Sequence, residues 1–498
     1  MPRKGNAKVR TGCVTCKIRK LKCDEAKPSC RRCTSTGRKC DGYITAPTSS
    51  ALSWHRPRHL FPNVDDASER RCLEFFCDVA APVLSGPLDP YFWTHLVLQF
   101  SQMEPAVRHS VVAIGSLYEQ VHRHQVTGPL LCDDKLVLSH YNAAIRHLKT
   151  MKNESLVLLV CILFICIEFL LGNRAAANEH CQHGIIILKK VEETFPWAKE
   201  YLSPIFRRLS VLPFFFTVVE RLGPNLLCLD DSIPFFSTIS EAQFYLDGIL
   251  GRTVRLIRRG DAYRLGNLKH EPVLPDLLAE QDFTRTLLDD WYSSFTQLVS
   301  KSPEPGLRSV HRCDMIMRYL ICRVWVGTCF DFHQTAYDKY NDIFRSMIDS
   351  AAAVESSDYA AQPIKFTFEM GFIPSLYFVA IKCRCLDTRL QALSLMKRLG
   401  AARENLWEIV TMFASAKRII EIEHGATLTD DGQLIGEPSC PGLPSDEVRV
   451  RDSMSEPQPL PRMVDGVERI GRLGGFFMLA PDNSIYVRSE FLPQPSWV

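Results

Sequence analysis

Six cysteines crowded between positions 13 and 40 constrain this chain more than any other feature. Cys13, Cys16, Cys23, Cys30, Cys33 and Cys40 follow the spacing C-x2-C-x6-C-x6-C-x2-C-x6-C, the same half-motif written twice. A C-x2-C pair can close two corners of a tetrahedron around one ion, and a third cysteine six residues on can return to it after about one or two helical turns. Each half therefore offers three thiolates. A structural zinc ion takes four, so the simplest closed solution is two zinc ions with one cysteine of each half shared between them. A single four-cysteine zinc site with two spare thiols and an iron-sulfur cluster are the competing readings, and iron-sulfur clusters favour other spacings. Between the cysteines stand Lys, Arg, Asp, Ser and Thr with almost nothing apolar. A unit this small must take its folding free energy chiefly from the metal.

The remaining thirteen of the 19 cysteines are scattered, many in apolar stretches, so they do not make a disulfide framework. The opening MPRKGNAKVRTG carries charge without an apolar stretch behind it, so no secretory signal is expected and a reducing compartment is. The longest apolar run, Leu156 to Ile167, is too short for a membrane span of about 20 residues and reads as a buried helix.

Charge divides the chain in two. The formal net charge is +3, but residues 1–43 hold 13 Lys/Arg against 3 Asp/Glu, or +10, and the other 455 hold 46 against 53, or −7. With six thiolates and two zinc ions adding −2, the loaded head stays near +8. Such a head fits a polyanion or an acidic membrane surface. Lys17-Ile18-Arg19-Lys20-Leu21-Lys22 puts four cations into one short helix, with Ile18 and Leu21 spaced to share an inward face. A short cationic helix fits the DNA major groove, where Arg or Lys to guanine O6 and N7 is the commonest specific contact. Lys17, Lys22, Arg31, Arg32, Arg38 and Lys39 read as phosphate contacts or solvated charges. Arg3, Lys4, Lys8 and Arg10, with the Lys17 to Lys22 stretch, also suit nuclear import.

This cysteine-rich segment resembles the fungal binuclear zinc cluster (Zn2Cys6) transcription regulators. The resemblance implies that the first and fourth cysteines, Cys13 and Cys30, bridge two Zn2+ ions while the other four are terminal ligands. It also implies that Arg19 and Lys20 read a CGG triplet in double-stranded DNA, Lys20 being favoured for base contact, and that Pro28 is the interhelix turn proline, often cis. Short helices are expected to start near Cys16 and Cys33, related by pseudo-twofold symmetry. Farther on, ERRCLEFF at 69–76, EPAVRHSVVAIGSLYE at 104–119 and PSLYFVAIKCRC at 374–385 resemble the regulatory domain specific to fungi that follows such clusters.

The expected organisation is a Zn2Cys6 DNA-binding domain at 8–43, a linker at 44–66 and a large all-α regulatory domain at 67–498. Within that domain 425–462 is loop-rich and the alternation Ser484-Ile485-Tyr486-Val487-Arg488 suggests a small C-terminal hairpin. Helices are predicted at 134–150, 154–171, 174–192, 204–221 with a break at Pro213, 239–260, 275–300, 309–328, 333–354, 367–385, 387–397 and 402–422, after others at 67–82, 91–100 and 105–122. No heptads are visible beyond the linker, so dimerisation through a coiled coil is not expected. With 46% hydrophobic and 23% charged residues, the chain is not disordered throughout.

An enzyme is not expected, because G-x-G-x-x-G, Walker A, G-x-S-x-G and HExxH motifs are all missing. The lure Glu179-His180-Cys181-Gln182-His183 reads as core and surface histidines. The expected protein is a nuclear, sequence-specific transcription factor of RNA polymerase II genes. Its expected partners are DNA with CGG-type half-sites, a second copy or another transcription factor, and coregulators or a small-molecule effector. The alternative is an interaction or scaffold module in which the cluster is mainly a structural staple.

Overall fold

A computed structural model describes residues 11–43, 64, 66–88, 90–123, 134–216, 232–301, 307–355, 364–464 and 466–497. The chain divides into two compact units, Met1–Pro62 and Asn63–Val498. Most of the predicted linker, and the import cations Arg3, Lys4, Lys8 and Arg10, lie outside the described residues.

The first unit contains two short helices, α1 (Val14–Ile18) and α2 (Arg31–Thr34), each following a cysteine. Its interior is Cys13, Cys16, Cys30 and Cys33, all fully buried. The inward apolar face predicted for Ile18 and Leu21 is not found. Ile18 is 74% exposed and Leu21 41%, because among the described residues of this unit the cysteine sulfurs fill the interior.

The second unit is helix-rich. Asp66 caps α3 (Ala67–Phe75) by accepting from the Ser68 and Glu69 N–H groups, and Pro82 falls in the first turn of α4 (Ala81–Leu84). α5 (Val97–Met103) leads into α6 (Pro105–Arg123), which packs against α3 and against the antiparallel α7 (Lys135–Thr150). α3 crosses α6 so closely at Gly115 that a Cβ there would stand 2.3 Å from the Cys72 carbonyl oxygen. α8 (Glu154–Leu171) is capped by Asn153 and ended by left-handed Gly172, and it packs on α6 and on α9 (Arg174–Val191). By length and composition α8 could cross a membrane, yet 83% of it is buried inside this unit, as a core helix would be.

The helix predicted at 204–221 is split into α10 (Ser203–Leu209) and α11 (Leu212–Phe216), Pro213 standing in the first turn of the second piece; positions 217–221 lie outside the described residues. α12 (Ile239–Arg264), α13 (Pro275–Lys301), α14 (Leu307–Thr328) and α15 (Asn341–Glu355) follow. Then come β1 (Phe366–Thr367), α16 (Phe372–Lys382), α17 (Leu386–Leu399), the hairpin β2 (Arg403–Glu404) and β3 (Trp407–Glu408), and α18 (Ile409–His424). The predicted helix at 402–422 thus begins seven residues late. Glu404 is drawn instead to the start of α16, where its carboxylate accepts from the N–H groups of Gly371, Phe372 and Ile373 at 2.8, 3.2 and 3.0 Å.

The all-α expectation for this unit is corrected at its C-terminal end. Beyond the small pair β4 (Thr427–Leu428) and β5 (Leu434–Ile435), the strands β6 (Asp452–Ser455), β7 (Leu460–Val464), β8 (Val467–Leu479) and β9 (Ile485–Pro493) form a four-stranded antiparallel sheet. The suggested hairpin is β8–β9 within it. β8 carries β9 along one edge and β7 and β6 in succession along the other. Phe476, Met478 and Leu492 pack on Ile419 of α18 and on Val450, so one sheet face is covered by helix. In the loop-rich stretch before β6, Arg449 and Arg451 are fully buried, pairing with Asp338 and Asp446 at 2.8 Å each. The first pair joins segments distant in the chain and the second closes within the loop itself.

Candidate metal centre and nucleic-acid interface

The two cysteine half-motifs fold alike. Cys13 Sγ lies 3.5 Å from Cys30 Sγ and 3.8 Å from Cys33 Sγ, and Cys16 Sγ lies 3.7 and 3.8 Å from the same two atoms. A tetrahedron with zinc–sulfur distances of about 2.3 Å has edges of about 3.8 Å, so the spacing suits a metal centre. Two quartets have donor atoms within 4.8 Å of one another: Cys13, Cys16, Cys23 and Cys30, and Cys13, Cys30, Cys33 and Cys40. Cys13 and Cys30 are common to both. The donor set therefore fits two zinc ions sharing two thiolates.

Backbone geometry repeats at an offset of 17 residues. The Cys13 N–H donates to Cys23 Sγ, and the Cys30 N–H to Cys40 Sγ, both at 3.4 Å. Each short helix ends in the same crossed pair of bonds. Lys20 N–H donates to the Lys17 carbonyl and Leu21 N–H to the Cys16 carbonyl, matched by Gly37 to Thr34 and Arg38 to Cys33. This is the Schellman closure, which places one residue in the left-handed region. That residue is Lys20 at φ 54° in the first half and Gly37 at φ 64° in the second. A second such pair is Glu25 at φ 58° and Gly42 at φ 75°.

The halves are tied together by polar contacts. Asp24 Oδ2 accepts from the Arg31 N–H at the start of α2 at 3.0 Å, Thr15 Oγ1 donates to Asp41 at 2.8 Å, and the Val14 N–H donates to the Gly42 carbonyl at 2.9 Å. Tyr43 Oη donates to the Ala26 carbonyl at 2.8 Å. The Lys27–Pro28 peptide is cis. Burial pushes the Cys13 thiol up to about 12 and the Cys30 thiol up as well. Burial also raises Cys23, but the N–H groups of Cys13 and Glu25 and the Tyr43 hydroxyl outweigh it and bring Cys23 down to about 6. Closely packed thiolates need a cation among them, and binding one releases their protons.

The sequence-predicted cations lie on this scaffold. Lys17, Lys20, Lys22, Arg31, Arg32, Arg38 and Lys39 are exposed, while Arg19, the C-cap of α1, is half-buried. The repeat is not chemical: where the first half carries Lys17, Arg19 and Lys20, the second has Thr34, Thr36 and Gly37. At these three positions the cations are confined to the α1 side. The lure at 179–183 is divided between core and surface: Cys181 is buried and half-buried His180 lies edge-on to Phe164, while Glu179, Gln182 and His183 are exposed.

Sequence reasoning did not place a second concavity, of about 1460 Å³, in the large unit. Phe215, Trp325, Tyr377 and Trp407 line it, beside Lys382 and Arg318. Arg318 Nη1 and Trp407 Nε1 are buried without a hydrogen-bond partner. Burial lowers Lys382 to about 7, and its Nζ donates to Gln334 Oε1 at 3.1 Å and the Arg451 carbonyl at 2.6 Å.

Comparison with known proteins adds to this geometry. Residues 11–50 match the family model described as the fungal Zn(2)-Cys(6) binuclear cluster domain. Over 85% of its length the chain is 24% identical to the aspercryptin biosynthesis cluster-specific transcription regulator atnN of Emericella nidulans, covering 88% of that protein. It is 48% identical over 50 residues, 10% of this chain and 9% of the other, to the transcriptional regulatory protein moc3 of Schizosaccharomyces pombe. Over 58 residues, 12% of this chain and 6% of the other, it is 42% identical to the arginine metabolism regulation protein II of Saccharomyces cerevisiae. No solved structure matches the chain. With the donor set and the domain match in agreement, the cofactor of the first unit is a pair of zinc ions.

Proposed function

We propose that this chain, which carries a fungal Zn(2)-Cys(6) binuclear cluster domain at residues 11–50, is a nuclear, sequence-specific transcription regulator of RNA polymerase II genes. Cys13 and Cys30 bridge the two zinc ions, with Cys16, Cys23, Cys33 and Cys40 as terminal ligands. The ions supply folding free energy and hold α1 rigid, and they take no part in reading the sequence. α1 enters the major groove, where Lys20, with Arg19, donates to guanine O6 and N7 of a CGG-type triplet. Lys17, Lys22, Arg31, Arg32, Arg38 and Lys39 contact phosphates, fixing register without selecting sequence.

The observation that carries this reading is Lys20 itself. It is exposed at the end of α1 in a left-handed backbone conformation that its counterpart leaves to Gly37. An L-residue pays roughly 1–2 kcal/mol for that conformation, and a function for the side chain explains why a lysine stands there. The large unit controls activity, and its aromatic cavity, where Trp407 Nε1 is buried without a hydrogen-bond partner, suits a small-molecule effector. One triplet is too short to mark a genomic site, so a second copy or a partner transcription factor completes recognition.

Selection from a random double-stranded DNA library with zinc-loaded full-length protein, at stated salt, tests the proposal. Enrichment of a CGG-type triplet that disappears with Lys20→Ala is the expected result, and paired triplets at fixed spacing would give the stoichiometry. Equal, sequence-independent retention by both proteins would overturn it.

A further inference from the structure

Outside the cluster and the cavity, three helices of the large unit bring two imidazoles and a carboxylate together. Glu69 comes from α3, His109 from α6 and His140 from α7, and one donor atom of each lies within 4.8 Å of the other two. These positions are far apart in the chain, so only the packing of α3 and α7 on α6 assembles them. His109 Nδ1 and His140 Nδ1 are 2.9 Å apart. The rings are within hydrogen-bond distance of each other, and a tetrahedral ion about 2.1 Å from each nitrogen would set the two about 3.4 Å apart, so they need to part by only about half an ångström to receive one. All three side chains are half-buried, leaving room for water in the remaining positions.

We infer that Glu69, His109 and His140 form a third metal site of the protein, a two-histidine, one-carboxylate site for a divalent late transition ion such as Zn2+. Imidazole donors favour such an ion over calcium or magnesium, which prefer oxygen. One of the two rings is held in place by its neighbours. His147 stacks on His109, with centroids 5.5 Å apart and planes at 21°, which fixes the ring. Of the nearby cations, Arg108 is turned away to the Ser101 and Gln102 carbonyls. On the acidic side, the Ser68 and Glu69 N–H groups keep Asp66 ionised, and its charge faces His140. An ion here would pin α3 and α7 to α6, so zinc would stabilise the large unit as well as the cluster.

The test is metal stoichiometry of the full-length chain dialysed to equilibrium against buffered Zn2+. Wild-type protein should hold one zinc more than a His109→Ala/His140→Ala variant, and His147→Ala should keep it. Equal zinc content in wild type and double variant would overturn the site. Should the double variant lose its helical signal, Glu69→Gln decides instead. It keeps both imidazoles, and weakened binding of the extra ion supports the site, whereas unchanged binding overturns it.

Discussion

The two halves of the zinc cluster have one backbone and two chemistries. Cys13 to Cys23 and Cys30 to Cys40 make the same helix, the same crossed closure and the same N–H to sulfur bond. Yet both left-handed positions are glycine in the second half, Gly37 and Gly42, and charged in the first, Lys20 and Glu25. The second half follows what the backbone prefers. The first departs from it at two charged residues: Lys20, to which the proposed function gives the groove contact, and Glu25, acceptor of the Thr11 hydroxyl. Symmetry in the cysteines is a requirement of the metal, and asymmetry between them is where specificity can reside.

Removing the metal should erase the comparison altogether. A strong chelator is expected to unfold both halves together and abolish DNA binding, while far-UV circular dichroism retains most of the helical signal of the large unit. Single substitutions then separate bridging from terminal ligands. Cys13→Ser or Cys30→Ser should lower the zinc content by two ions, since each serves both quartets, whereas Cys23→Ser or Cys40→Ser should lower it by one. Elemental analysis against wild type reads the difference.

Smaller changes test the asymmetry. Lys20→Ala should cost about 1–3 kcal/mol of discrimination against altered triplets, whereas Gly37→Ala should leave sequence preference unchanged and weaken the fold by about 1 kcal/mol. Competition binding on matched and mismatched duplexes checks the first, and resistance to chelation the second. The smallest effect has the opposite sign. Lys20→Gly should make the cluster more resistant to chelation by about 1 kcal/mol while specific binding is lost. A variant that is both less stable and non-binding would show that Lys20 supports the fold and not the readout.

Much of this could be read from the sequence. Six cysteines in a doubled spacing leave few closed solutions, and aligning CVTCKIRKLKC over CRRCTSTGRKC already sets Lys20 against Gly37. The direction of Ile18 and Leu21 could not be read, because a helical period identifies a face and not whether there is an interior to receive it. In the large unit the long helices follow from periodicity and caps such as Asn153 and Asp134. Residues 403–408 look helical locally, but Glu404 is claimed by the start of α16 thirty residues earlier. The burial of Arg449 against Asp338 and the meeting of Glu69 with His109 and His140 depend in the same way on partners distant in the chain.

That difference in the reach of contacts orders events during synthesis. Among the described residues every tie in the cluster lies between Thr11 and Tyr43, so the unit can close around its ions as soon as that segment leaves the ribosome. The helices that follow cannot finish early. Tyr118 Oη donates to the Phe366 carbonyl, 248 residues on, and the Leu170 carbonyl accepts from Arg403, 233 residues on. A message cut short by a premature stop between these points would yield a finished cluster attached to an unfinished body. Such a fragment would keep the metal-binding unit without the body that follows it, so early nonsense alleles should yield a zinc-loaded product and not merely none.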